Sequence, residues 1–360
     1  MKINWILIAI VGIILTTGCS KKQRKRMNLD ALPASIGNAY QAMVVMDESL
    51  NETVVYDSID YNLAAPYLVV PNQEPVLDLD FVKPADFLGY LKHRRSIVFI
   101  GALDQNDQSS RIIKQALGQE NVNKARNNTN FRYAMRKSVW SQGQRVFYLF
   151  APTLAELPDA INEASPKIIE EIYKIDAINS RASAYAGGQN REAIIDLNER
   201  LGVTLKVPKG FRIASAKVID EQTAWLRHDF RELSYNILVH VMDYDNESEV
   251  TTENLIKVRN ELGKKYITSN VKGAYMTTEL DNRPLPVFKT TTINGNYAIE
   301  ARGLWKMVND YMGGAFLSYM VYNPNSKQVV FIDAFLHAPA KKRHRNYVER
   351  LDEVLKTLVF

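Results

Sequence analysis

One segment, residues 297–316, concentrates the residue types that could bind a ligand. Its charged, amide and indole side chains are five candidate binding residues: Glu300, Arg302, Trp305, Asn309 and Asp310. Glu300 and Arg302 are two residues apart, so on a β-strand both side chains extend from the same face. Together with an aromatic wall, they predict a surface groove for a ligand or a protein partner. The alternative is a hairpin, turning or bulging at Gly313-Gly314, whose indole packs in the core.

No local motif for catalysis, for a metal or for a cofactor accompanies these residues. The chain lacks a G-x-S-x-G elbow, a P-loop and a dinucleotide fingerprint, and its five histidines show no pair at metal-ligand spacing. Asp243 begins a segment like a calcium loop, but Ser248 and Asn254 stand where glycine and glutamate are needed. We therefore expect no metal and no cofactor, and favour a protein that is not an enzyme. The alternative is a periplasmic hydrolase whose active site assembles from distant residues.

Cys19 is the single cysteine of the chain, and its position indicates lipid attachment. Ahead of it lie Lys2, an apolar run over residues 5–15 and the small stretch Thr16-Thr17-Gly18. The run is too short to span a bilayer stably, and this order is typical of a secretory signal over residues 1–18. Residues 15–19 resemble the lipobox of bacterial lipoproteins, in which the cysteine is acylated and becomes the new N-terminus. The alternative is an ordinary signal peptide with an incidental cysteine.

The net charge of +5 comes from a short basic segment after Cys19. Residues 21–26 include five lysines and arginines, and the rest of the chain is close to neutral. We therefore expect no nucleic-acid partner, and predict that residues 19–37 form a basic tether beside an anionic bilayer. Ser20 stands where aspartate marks inner-membrane retention in many lipoproteins. The sequence thus predicts an outer-membrane lipoprotein on the periplasmic face rather than the cell surface.

The hydrophobic periodicity predicts an α+β fold with two related halves. Each half is expected to be a mainly antiparallel sheet with helices packed on one face. The first half spans residues 38–152, a helical connector spans 153–202, and the second half spans 203–360. The order strand, helix, strand, strand, helix recurs, and Ala151-Pro152 and Ala338-Pro339 end the strand pairs at matching places. The clearest strand is the β-branched run over residues 96–102.

Five segments carry a family resemblance: residues 44–47, 273–279, 302–305, 309–314 and 338–343. They are similar to a family of Bacteroidota lipoproteins known only as a domain of unknown function. The resemblance extends over nearly the whole chain after Cys19, and it implies a place in the envelope without implying an activity. We therefore expect a membrane-anchored envelope lipoprotein that acts as a binding or structural module. Its expected partners are the lipid bilayer and an envelope protein or a glycan.

Overall fold

The computed structural model describes residues 31–128, 130–214, 222–243, 249–341 and 343–360. Cys19, the predicted signal, the basic residues 21–26 and residues 244–248 of the calcium-like segment therefore lie outside the described residues. The chain divides into two compact units. The first contains the described residues up to Ile59 and residues Leu79–Ile168, and the second contains Asp60–Asp78 and Ile169–Phe360. Within the described ranges, no helix has the length and apolar character needed to cross a membrane.

The strands, in chain order, are β1 (Gln41–Val45), β2 (Pro66–Tyr67), β3 (Glu74–Pro75), β4 (Asp78–Val82), β5 (Ser96–Ala102), β6 (Tyr133–Lys137), β7 (Arg145–Ala151), β8 (Arg212–Ile213), β9 (Thr223–Phe230), β10 (Leu233–Asp243), β11 (Tyr275–Thr278), β12 (Val287–Ile293), β13 (Asn296–Val308), β14 (Gly313–Asn323) and β15 (Gln328–His337). The α-helices are α1 (Val54–Leu63), α2 (Gln108–Asn127), α3 (Leu157–Ala184), α4 (Arg191–Leu201), α5 (Thr252–Tyr266) and α6 (Arg345–Leu355). Short 3-10 helices cover Glu48–Leu50 and Gly89–His93.

The first unit is built on a five-stranded sheet in the order β4-β1-β5-β7-β6. Strand β5 is buried along its whole length, as its apolar run predicts. Helix α2 packs on the sheet through Ile113 and Leu117, which join Ile97 and Phe99 in one apolar cluster. The Asp107 carboxylate caps this helix by accepting a hydrogen bond from the Ser110 amide at 2.9 Å.

The α+β class is confirmed, but strand direction in the first unit differs from the expectation. Strands β1 and β5 pair in parallel, as do β5 and β7, whereas β6 is antiparallel to β7. A parallel pair needs a long crossover connection, and helix α2 with strand β6 lies between β5 and β7 in the chain. The sheet of the first unit is therefore mixed rather than mainly antiparallel.

The second unit contains an antiparallel sheet in the order β11-β13-β14-β15-β10-β9-β8, with β12 also paired to β13. Its central strands β14 and β15 are buried on both faces. One face packs in a cluster with apolar residues of α4 and α6, and the other packs with α5. Helices therefore cover both faces instead of the expected one, because the central strands are apolar on both sides.

Gly313 and Gly314 lie within β14 and not in the turn that the sequence predicts there. Gly314 is paired with Trp305 of β13. A Cβ at position 314 would collide with the carbonyl oxygen of Leu336 on the neighbouring strand. Glycine is thus required for close approach of the strands.

Candidate functional site

Glu300 and Arg302 lie side by side on β13, as their spacing predicts. The Nε of Arg302 donates a hydrogen bond to Oε1 of Glu300 at 2.5 Å. The same guanidinium donates to two carboxylates of α6, reaching Oε1 of Glu349 at 2.8 Å and Oδ2 of Asp352 at 2.7 Å. Helix α6 therefore covers this part of the strand, and the two residues contact a helix instead of lining an open groove.

Two tyrosines and a lysine complete this group, the Arg302 cluster, whose members are Arg302, Glu300, Glu349, Asp352, Tyr67, Tyr319 and Lys356. Tyr319 donates its hydroxyl to Oδ1 of Asp352 at 2.6 Å. Tyr67 donates to Oε1 of Glu349 at 2.6 Å, and Nζ of Lys356 donates to Oδ2 of Asp352 at 2.7 Å. Every carboxylate in the cluster therefore accepts from a cation, and Glu349 and Asp352 each accept from a tyrosine hydroxyl as well.

The charges of the Arg302 cluster compensate one another. Burial lowers the pKa of Arg302, but the negative charges of Glu349 and Asp352 outweigh this effect and hold the pKa above its ordinary value. Burial raises the pKa of Asp352, but the positive charges of Arg302 and Lys356 dominate and the pKa is lowered. Both groups therefore stay charged at neutral pH, and their ion pairs fasten α6 to the sheet.

Trp305 extends from the opposite face of β13, because it lies three positions after Arg302 and side chains alternate along a strand. Its side chain is buried, and its Nε1 donates to the carbonyl oxygen of Leu336 at 3.1 Å. Its ring packs edge-on against Phe335, with centroids 5.8 Å apart. It also borders a cavity of about 260 Å³, the Trp305 pocket, together with Pro71, Asn72, Glu279, Leu304, Gly313, Gly314, Ala338, Pro339 and His344. Trp305 is therefore a core residue with one edge at a cavity.

Asn309 and Asp310 lie in the turn that follows β13. Asn309 has a positive φ of 60°, and its Nδ2 donates to the carbonyl oxygen of Gly273 at 3.4 Å. Asp310 is partly buried and accepts from the amide of Tyr311 at 2.8 Å. A hydrogen bond from the Ser269 side chain lowers the pKa of Asp310. Both residues shape the turn through local hydrogen bonds.

The five predicted binding residues therefore do not line one groove. Glu300 and Arg302 lie under helix α6, Trp305 lies on the other face, and the remaining two lie at the end of the strand. Side-chain alternation separates the faces, and a rise of about 3.3 Å per residue separates Arg302 from the turn. The predicted pairing of Glu300 with Arg302 is correct, whereas the single groove is wrong.

The structure reveals a second cavity in the same unit, which we call the aromatic pocket. Its volume is about 240 Å³, and three rings form one wall: Phe211, His228 and Tyr235. The centroids of Phe211 and His228 are 5.5 Å apart, and those of His228 and Tyr235 are 5.9 Å apart. The remaining lining residues are Ser183, Ala184, Gly187, Gly188, Pro208, Lys209, Gly210, Arg350, Leu351 and Val354.

Sheet register and a tight turn position the aromatic wall. His228 on β9 and Tyr235 on β10 are directly opposite each other in the antiparallel ladder, so their rings extend from the same face. Phe211 follows the turn at residues 208–210. A Cβ at Gly210 would collide with the His228 ring, so glycine is needed for the turn to approach it. Helix α6 contributes Arg350 and Val354, which are four residues apart and share one helix face.

The aromatic wall is uncharged at neutral pH, while a cation lies beside it. Burial lowers the pKa of His228, and the negative charge of Asp229 opposes that effect only in part. Burial raises the pKa of Tyr235 to about 12, against the charge and hydrogen bond of Arg350. The imidazole and the phenol are therefore neutral at pH 7, and the guanidinium of Arg350 lies beside them.

The described residues include hydroxyl–imidazole pairs, but these pairs lie away from both cavities. The Oγ of Ser141 is 2.8 Å from Nδ1 of His93, and the Oγ1 of Thr223 is 2.9 Å from Nδ1 of His240. Ser141 and Thr223 have no exposed surface, and neither lines the aromatic pocket or the Trp305 pocket. Within the described part of the chain, no group of three acidic, histidine or cysteine side chains is arranged to hold a metal ion.

Family comparisons divide the chain into two regions. Residues 190–357 match the model of a domain of unknown function, DUF4837. Residues 35–183 match the model of another domain of unknown function, DUF8532. No curated protein matches the chain. The aromatic wall and Arg350 fall within the first matched region, and the end of the second contributes Ser183.

Among solved structures, the chain is similar to the Ran-binding protein Mog1p of Saccharomyces cerevisiae, with 14% identity and a TM-score of 0.29. The match covers 44% of this chain and 89% of Mog1p. A Mog1 protein carrying an E65A substitution matches at 15% identity, with the same coverage and a TM-score of 0.29.

Proposed function

We propose that this chain is a membrane-anchored lipoprotein of the bacterial envelope whose second unit binds a small ligand in the aromatic pocket. Acylated Cys19 and the basic residues 21–26 would hold it on the periplasmic face of the outer membrane. The lipobox-like sequence supports the anchor, and the resemblance to Bacteroidota lipoproteins supports the compartment. The partner envelope protein or glycan stays a prediction.

The observation that carries the binding role is the form of the aromatic pocket. It combines a concave apolar wall with a few convergent polar groups, which is the usual composition of a small-molecule site. Its volume of about 240 Å³ accommodates a small molecule, or one group of a larger partner. The strand ladder and the glycine turn hold the wall rigidly, so little ordering is required when a ligand enters.

Binding is favoured over hydrolysis by the chemistry of the lining. Serine and tyrosine hydroxyls are present, but the lining contains no carboxylate, and its imidazole packs between two aromatic rings. A hydrolase needs a base within about 3.2 Å of its nucleophile. Ser183, at the end of α3, has no hydrogen bond to His228 among the described residues.

Small-molecule retention tests the binding role. The purified protein is incubated with the small-molecule fraction of an envelope extract, passed through a desalting column and examined by native mass spectrometry. Ser183 is exposed on a helix at the pocket, so Ser183→Trp should obstruct the cavity without altering the core. Ala182 is exposed on the same helix and does not line the pocket, so Ala182→Trp is the matched control.

We expect the wild type and Ala182→Trp to retain the same added mass, and Ser183→Trp to lose it. Retention of that mass by Ser183→Trp, or recovery of the bare protein in every sample, would contradict binding in this pocket.

A further inference from the structure

Two cations at the aromatic pocket lack the ion pairs that several other cations of the second unit form. Arg302, Arg345 and Lys356 each form an ion pair with a carboxylate. By contrast, Lys209 and Arg350 line the cavity and have no ion pair among the described residues. The lining itself includes no aspartate or glutamate. The pocket therefore has an excess of positive charge that its own walls do not neutralise.

Arg350 also has unused capacity to donate hydrogen bonds. Its Nε is shielded from solvent and has no acceptor among the described residues. A guanidinium forms its strongest hydrogen bonds with anionic acceptors, and no carboxylate in the lining competes for Arg350. The planar guanidinium suits a carboxylate or a phosphate, because both present two oxygens to one fork.

The other side of the cavity favours an apolar body. Phe211, His228 and Tyr235 offer neutral ring surfaces, and Leu351 and Val354 add aliphatic surface opposite the turn. Flat apolar groups pack well against such rings in offset or edge-on arrangements. A small inorganic anion would leave this surface uncovered, and an uncharged apolar molecule would leave the cations without a partner.

We propose that the aromatic pocket binds a small organic anion, in which a flat apolar body contacts Phe211 and its neighbours while one carboxylate or phosphate group accepts from Arg350. This assignment rests on the proposed binding function and adds the chemical class of its ligand. Lys209, which is exposed at the cavity, supplies longer-range attraction for the same charge.

Three probes with one ring system test the charge requirement. They are 2-naphthoate, 2-naphthyl phosphate and 2-naphthol, which share the naphthalene body and differ in the group that would reach Arg350. Isothermal titration calorimetry with the full mature chain gives each dissociation constant at pH 7.5. Because a hydrogen bond to a charged group contributes about 1.5–3 kcal/mol, we expect the anions to bind about 10- to 100-fold more tightly than 2-naphthol. The anion with the lower dissociation constant shows whether the pocket prefers a carboxylate or a phosphate group.

Arg350→Gln should weaken both anions by about tenfold or more and leave 2-naphthol unchanged. Arg350→Lys should restore part of the preference for anions, because it keeps the charge and loses the planar fork. Thermal unfolding of each variant separates lost binding from lost folding. Phe211→Leu, which keeps the apolar volume approximately, should weaken all three probes.

The outcomes distinguish the ligand class from the binding function. Suppose that 2-naphthol binds as tightly as the anions, and that Ser183→Trp blocks this binding whereas Ala182→Trp does not. This result would refute the anion class and leave the binding function intact. Failure of all three probes to bind would also refute this class, and the extract experiment would then decide the binding function separately. An anion preference that Arg350→Gln does not change would refute the role of Arg350.

Discussion

Replacing Arg302 by methionine should destabilise the second unit strongly, because it removes the central cation of the Arg302 cluster. The guanidinium contacts Glu300, Glu349 and Asp352, and its side chain is only 17% exposed. Methionine retains much of the apolar length but leaves the three carboxylates with Lys356 as the remaining cation of the cluster. Removing one partner of a buried ion pair typically costs 3–5 kcal/mol, so we expect a loss of at least about 3 kcal/mol.

The loss of stability in Arg302→Met should depend on pH, and the pKa of Asp352 determines whether the loss grows or shrinks as the pH falls. In the wild type, the pKa of Asp352 is lowered, so its contribution to stability is present above the unfolded value of about 3.9 and disappears as the pH falls through the folded value. Without Arg302, burial dominates and the folded pKa should rise above the unfolded value. The variant should then gain stability on acidification, and its deficit should be largest near pH 7.5 and smaller near pH 4.5.

Urea unfolding followed by circular dichroism, together with hydrogen exchange of the α6 amides, provides the measurement. Arg212→Met is the matched control, because Arg212 is 72% exposed and pairs at 3.0 Å with Asp229, which is 33% exposed and keeps Arg227 as a second partner. An exposed pair contributes at most about 1 kcal/mol, so this control should change little. A deficit below about 1 kcal/mol for Arg302→Met, or an equal deficit at both pH values, would refute the electrostatic account of the cluster.

Three further predictions concern the anchor, the strand packing and the buried core. Cys19→Ser should abolish acylation, leaving an uncleaved or soluble protein; unchanged [³H]palmitate labelling and membrane fractionation would contradict lipidation. Gly314→Ala should lower the free energy of unfolding by at least about 1–3 kcal/mol, because the added methyl group would overlap the carbonyl oxygen of Leu336. Gly187→Ala is the control and should change little, because there is open space around Gly187. Urea unfolding midpoints that are equal for the two variants would refute the packing argument. Asp333→Asn should cost about 3–5 kcal/mol, because Arg259 is fully buried and pairs with this carboxylate at 3.3 Å; an unchanged melting temperature would refute it.

The sequence predicts elements well where their periodicity is strong. The buried strand β5 lies where the apolar run over residues 96–102 places it, because local patterning is sufficient for a single element. Strand direction in the first unit is not predicted, since it depends on which crossover packs on the sheet. The predicted turn at Gly314 is also wrong, because Gly314 lies within a strand. Glycine is required there by the carbonyl oxygen of Leu336 on the neighbouring strand, and not by a turn.

The candidate site is predicted only in part, and distance in sequence explains the difference. Glu300 and Arg302 are found because two-residue spacing on a strand brings side chains together. Their partners on α6 are almost fifty residues away in the sequence. No local sequence pattern therefore predicts that α6 packs over Glu300 and Arg302. The residues that line the aromatic pocket come from four separate chain segments: 183–188, 208–211, 228–235 and 350–354. None of these segments alone has the sequence pattern of a binding site.

Buried charge by itself does not identify a binding site in this protein. In the Arg302 cluster, cations and carboxylates satisfy one another, so a ligand anion would have to displace Glu349 or Asp352 from a guanidinium that already binds them at short distance. At the aromatic pocket no such competitor exists among the described residues, and an entering anion would exchange water for Arg350 without breaking an ion pair. The free-energy cost of binding is therefore lower at the pocket, even though the Arg302 cluster contains more charge.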